Sequence, residues 1–251
     1  MTEPTATYVF ALVAHAKRMS VPRAVPCLPL ATKPSLIPVK PGWWLIVCDV
    51  PLRVYGAEGL QQRMRDLEWI STVAVAHEGV IDAFLKADAV LPLKLFTIFS
   101  SPARACRHFL ERESSLVPVV SRVAGAEEWG VRVAMTARAP RTAAPVAHAS
   151  TGAGYLRGKK AQYRSAAQRQ TRIRDLASEL FAALSSLSSA ARERAAEPSQ
   201  GSVVLDAAFL VPRTGGARLK AAAARFAQAL EPEGGDVTVT GPWPPYSFVQ
   251  D

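Results

Sequence analysis

The sequence has little of what enzymes and exported scaffolds are built from. Its three cysteines, Cys27, Cys48 and Cys106, lie far apart and form no CxxC. That excludes a disulfide framework and a thiolate zinc site, and leaves them as small buried hydrophobes in a reducing cytoplasm. Histidine is scarce. His77-Glu78 begins like HExxH, but Ile81 stands where the second metal ligand belongs. The pair is expected to act structurally, at a helix start. His108 reads as a surface residue beside Arg104 and Glu111, and His15 and His148 have no sequence-near partner. There is no GxSxG, and TGAGYLRGKK (151–160) lacks the GxxxxGK[ST] spacing and a leading strand. No catalytic, metal-binding or cofactor-binding residue is expected, so the chain reads as a non-enzyme without cofactors. Long hydrophobic runs are also missing. None reaches the roughly 18–20 residues of a membrane span. YVFALVA (8–14) follows Glu3 with no Lys or Arg before it, unlike a signal peptide. The expectation is a soluble, cytoplasmic protein.

The 251 residues are 49% hydrophobic and 20% charged, enough for a substantial core. Residues 7–14 are β-branched and aromatic and predict a strand. Residues 21–41 hold Pro22, Pro26, Pro29, Pro34, Pro38 and Pro41 and predict a loop or an irregular edge. WWLIVCDV (43–50) predicts a strand covered on both faces. Leu60, Met64 and Leu67 share the apolar face of a helix over 57–67. Residues 70–76 fit strand or helix, and Val80/Phe84 with Ile81/Leu85 predict a helix over 77–87. VLPLKLFTIF (90–99) is apolar. Ser100, Ser101 and Pro102 then cap a helix running to about Ser114, burying Cys106, Phe109 and Leu110.

In the second half, Trp129, Val131, Val133 and Met135 alternate with Arg132 and Thr136, a half-buried strand. Residues 139–154 read as a flexible connection. A long helix is expected from about Tyr155 to Glu197, with Ile173, Leu176, Leu180, Leu184 and Leu187 inward. A strand at 202–211, a helix at 217–230 and a strand at 236–240 complete the set. Strand, helix, strand, helix, strand over one sheet predicts an α+β fold, ferredoxin-like with a strand missing or borrowed. The expected domains are 1–120 (α+β), 121–240 (ferredoxin-like, antiparallel, helices on one face) and a Pro/aromatic tail at 241–251.

Two features invite a partner. Residues 157–174 carry Arg157, Lys159, Lys160, Arg164, Arg169, Arg172 and Arg174, with no acid before Asp175. Arg157, Lys160 and Arg164 share one helix face. This stripe fits a solvated surface, an acidic protein partner, or phosphates; the last makes a nucleic-acid-binding module the alternative function. No strand carries the aromatic pattern of an RNA-binding ferredoxin-like domain, which counts against it. The second feature is GPWPPYSF (241–248). Its prolines exclude helix interior and central strand, and its Trp243, Tyr246 and Phe248 are out of place in a disordered tail. They either fold back on the protein or present an apolar patch to a partner, beside a docking cleft between domains.

HEGVIDAF (77–84), VLPLKLFTIFSS (90–101), EEWGVRV (127–133), GAGYL (152–156), AAFLV (207–211) and GPWPPYSF, in this order and spacing, resemble the gas vesicle protein F/L family over nearly the whole chain. The resemblance implies an accessory protein of gas vesicles that binds the major shell protein and assists assembly, or is itself a minor shell component. It also implies other gas vesicle accessory proteins as partners, no enzymatic activity, and two α+β domains with a modified ferredoxin-like second one. Ala11 replaces the family's usual glycine after the aromatic of the first strand.

Overall fold

The computed structural model describes residues 3–136, 152–195 and 202–249; side chains at 152–155 and 157 lie outside the description. The chain divides into two compact units, Met1–Glu127 with Trp243–Asp251, and Glu128–Pro242.

The first unit begins with β1 (Thr5–Ala14), β2 (Ser35–Lys40) and β3 (Trp43–Pro51). The helices α1 (Leu52–Tyr55), α2 (Ala57–Arg63) and α3 (Leu67–Asp82) follow, then β4 (Ala89–Pro92) and the two-residue β5 (Ile98–Phe99). The sheet runs β2-β3-β1-β4, with β5 also on β1, and these pairs are antiparallel. β1 and β3 are interior strands, so both their faces are buried and their sequences are near-continuous apolar runs. Pro38 sits on the edge strand β2, where a missing N–H is tolerated. The register shifts between Val9 and Ala11. This bulge lets Tyr8, Phe10, Ala11 and Val13 all join one core cluster despite the two-residue period.

α3 covers that side through Val73, Val80 and Ile81, each burial contributing about 1.5–3 kcal/mol. Its N-cap is Asp66, which accepts from Trp69 N at 3.0 Å. The expected helix over 57–67 stops at Arg63, and Met64 and Leu67 are exposed rather than inward. The ambiguous 70–76 segment is helical, and His77-Glu78 falls within α3, not at a helix start. The other face is covered by α4 (Pro102–Glu111) and α5 (Glu113–Val123). Ser101 caps α4 with Pro102 at its start, as expected. Phe109 is buried, but Leu110 is exposed. α5 adds a helix beyond Ser114, with Pro118 inside it.

The second unit's sheet is built from β6 (Ala126–Met135), β7 (Ala190–Glu193), β8 (Val203–Pro212) and β9 (Gly235–Trp243), in the order β7-β8-β6-β9. α6 (Gly152–Ser185) joins β6 to β7, and α7 (Gly216–Leu230) joins β8 to β9. This is the complete βαββαβ arrangement, so no strand is missing or borrowed. The expected helix to Glu197 instead ends at Ser185, and its last part is β7, antiparallel to β8. Ile173, Leu176, Leu180 and Leu184 of α6 and Leu219 and Leu230 of α7 bury against Trp129, Val131, Val133 and Phe209, on one face of the sheet. Most of the Ala/Pro connection, 137–151, lies outside the described residues; Gly152–Gly154 already belong to α6.

GPWPPYSF is split between structures. Gly241–Trp243 ends the edge strand β9, and Tyr246–Val249 forms a single turn, α8. Gly241 has φ +121°, and a Cβ there would come within 2.9 Å of the Glu128 carbonyl oxygen. Only glycine meets both demands.

Candidate functional site

The N-terminal half of α6 is long, basic and solvated. Lys160 and Arg164 are exposed, one turn apart. Arg157 shares their face by helical spacing; its side chain is outside the described residues. Lys160, Arg164, Arg169, Arg172 and Arg174 make no ion pair among the described residues. Two apolar side chains interrupt the charge. Leu156 is 67% exposed and Tyr163 68% exposed. Leu156, Lys160 and Tyr163 fall at i, i+4 and i+7, so apolar surface and cations share adjoining rows of one helix.

The tail aromatics have separate fates. Phe248 is 3% exposed and buried in the first unit, whereas Trp243 is 42% exposed. Tyr246 is half-buried and packs against the α3–β1 core. Its hydroxyl donates to Glu78 Oε2 at 2.6 Å, and Arg122 Nη1 donates to the Phe248 carbonyl at 3.4 Å. Burial pushes the Glu78 carboxyl above its usual range, opposed in part by the Tyr246 hydrogen bond. Burial, then the Glu78 carboxylate, push the Tyr246 phenol well above its usual range. The proton therefore stays on Tyr246, and the hydroxyl is the donor.

One residue earlier, His77 closes a buried chain of hydrogen bonds. Phe96 N donates to Tyr8 Oη at 3.1 Å, and Tyr8 Oη lies 2.9 Å from His77 Nδ1. His77 Nε2 lies 3.2 Å from the Leu93 carbonyl oxygen. With its oxygen accepting from Phe96, Tyr8 donates to Nδ1, and the ring donates from Nε2 to Leu93. That assigns the neutral Nε2–H tautomer from the network. Burial lowers the His77 pKa to about 4, in keeping with a neutral ring. The chain fixes the loop 93–97, where Phe96 takes φ 63° and stacks on Trp69 at 5.8 Å.

The family described as gas vesicle synthesis protein GvpL/GvpF matches residues 6–250. The chain belongs to the GvpL/GvpF family. Gas vesicle protein L of Streptomyces sp. (strain CB03234) is 32% identical over 208 residues, spanning 79% of this chain and 77% of that protein. The crystal structure of GvpF from Anabaena sp. PCC7120 shares the fold at TM-score 0.67 and 16% identity, covering 98% of this chain and 97% of that one. GvpF from Microcystis aeruginosa does so at TM-score 0.61 and 12% identity, covering 98% and 99%. The protein therefore has an accessory role in gas vesicles. No described helix is long and apolar enough to cross a membrane.

For this GvpL/GvpF member, sequence reasoning named Tyr246 and Phe248 but not what they meet. Glu78 and His77 lie in HEGVIDAF and Tyr8 in the first predicted strand, yet only folding brings them to α8 and loop 93–97. The cysteines are all free, but Cys27 is exposed; only Cys48 is fully buried.

Proposed function

We propose that this protein binds the major gas vesicle shell protein and assists gas vesicle assembly in the cytoplasm, as an accessory factor or minor shell component working with other gas vesicle accessory proteins. The observation that carries the reading is the exposed face of α6, where Leu156 and Tyr163 lie beside Lys160 and Arg164. An apolar stripe edged with cations that form no ion pair among the described residues suits a hydrophobic, acid-bearing protein surface. Arg157 extends the stripe by spacing, and Trp243 supplies a second exposed aromatic. Tyr246 and Phe248 act by holding α8 rather than by touching the partner.

The test is capture of the co-expressed, nuclease-treated shell protein at low and moderate salt. Wild type should retain it at moderate salt, because part of the contact is apolar. The Lys160→Glu/Arg164→Glu variant and Tyr163→Ala should each cut capture about tenfold, a loss of about 1.4 kcal/mol, without lowering the melting temperature. Failure of wild type at both salts would sink the proposal.

The nucleic-acid reading finds no further support. A base-stacking platform on such a sheet needs aromatics on its open face. The corresponding positions of β6 and β8 hold Gly130, Arg132 and Asp206, and Arg132 is engaged by Asp206 at 2.8 Å.

A further inference from the structure

A cleft of about 410 Å³ opens in the first unit, where loop 93–97 faces α4 and α5. Its floor is apolar. Phe99, His108 and Phe109 form an aromatic trio with ring centroids 5.3–6.3 Å apart; Leu93, Leu116 and Val119 extend it, and Thr97 and Ser115 bring hydroxyls to the lining. Its rim is basic. Lys94 and Arg112 both line it and are both exposed, and neither makes an ion pair among the described residues. No acidic side chain lines it among the described residues.

The loop that supplies Lys94 and Thr97 is held in a costly shape. Phe96 is a bulky residue in the left-handed region, at φ 63°. Thr97 Oγ1 donates to the Lys94 carbonyl at 2.7 Å. The buried Tyr8–His77 chain ties down both Leu93 and Phe96. Backbone strain that the surroundings over-determine tends to gather where a surface has a task. Here it sets Lys94 beside an aromatic floor.

We propose that this cleft binds an acidic peptide segment of a partner protein. An apolar side chain of the peptide seats on Phe99 and Phe109, and a neighbouring carboxylate pairs with Lys94 and Arg112. An aromatic floor ringed by charged, solvent-reaching side chains is the anatomy of a protein contact. A site for a small metabolite would place buried polar groups to fix its orientation, whereas the polar side chains among the described lining residues, Lys94, Thr97, His108, Arg112 and Ser115, are exposed or half-buried. The charge complementarity selects an acidic segment. This site shares no residue with the α6 surface and stands or falls independently of it.

The probe is a fluorescein-labelled, end-blocked peptide alternating leucine and aspartate, read by anisotropy on the full chain. Wild type should bind it with Kd below about 1 mM. Arg112→Ala and Lys94→Ala should each weaken binding at least about fivefold. Ser115→Trp, which fills the cleft from an exposed position on α5, should abolish it with the melting temperature unchanged. A peptide with serine for leucine should bind at least about tenfold more weakly. Absence of binding by wild type, or indifference to both Arg112→Ala and Ser115→Trp, overturns the proposal. So does phenylacetate competing as tightly, mole for mole, as the peptide, since the cleft would then take a small amphiphilic anion.

Discussion

The Tyr246 hydroxyl reaches the Glu78 carboxylate at 2.6 Å, joining residues 168 positions apart. This bond fastens α8 to α3. A half-buried carboxylate deprived of its donor loses its compensation, so Tyr246→Phe should cost about 1–3 kcal/mol, read as a lowered melting temperature. A double-mutant cycle with Glu78→Gln should show coupling; strict additivity would mean the two side chains do not support each other.

Glu78 also carries a pH signature. Its folded-state pKa is raised, chiefly by burial. The folded protein then binds its proton more readily than the unfolded chain, and stability falls as pH rises through that window. The penalty is complete above the folded pKa. Glu78→Gln removes the charge and keeps an acceptor for Tyr246. Its stability relative to wild type should be greatest near neutral pH and shrink in acid. A gap that widens in acid would contradict this account.

His77 works in the opposite direction. Its pKa falls from 6.5 to about 4 because the neutral ring is buried. Its contribution is fully present above pH 6.5 and is lost as pH drops toward 4, amounting to about 3 kcal/mol at 1.36 kcal/mol per unit. Circular dichroism melts over that range should show a shallower acid slope for His77→Gln than for wild type, from a lower starting stability.

The tail aromatics should separate cleanly. Phe248 is 3% exposed and Trp243 42%. Phe248→Ala should cost about 3–5 kcal/mol, whereas Trp243→Ala should cost under about 1 kcal/mol. Denaturant midpoints measure both. Equal costs would mean Trp243 has a structural partner.

Gly241→Ala tests the strand end. With φ +121° and the Glu128 carbonyl 2.9 Å from the added carbon, it should destabilise by about 1–3 kcal/mol. An unchanged melting temperature would show that β9 can shift to make room.

Much of the fold was legible because its signals are local. Buried interior strands announce themselves as apolar runs, as in WWLIVCDV, and α6 through the 3–4 spacing of Ile173, Leu176, Leu180 and Leu184. Ser101-Pro102 marks a helix start by its own chemistry. The same local reading failed where distant pairing won. Ala190–Glu193 is built of helix formers, yet lies in β7 because Ala190 to Glu193 pair with Leu210 to Ala207. No element is expected over 115–123, where Val119 and Val123 bury and hold α5 helical through Pro118.

The candidate sites divide along the same line. Charge along α6 is a property of consecutive residues, so Lys160 and Arg164 could be named from spacing alone. That Trp243 is partly exposed while Phe248 is enclosed depends on where α8 docks. That Tyr8 meets His77, and Tyr246 meets Glu78, depends on the fold closing loops of 69 and 168 residues. Periodicity and propensity act within a few turns of chain and decide which elements form. Side-chain partners separated by most of the sequence are chosen only by packing, because nothing short-range couples them before the core assembles.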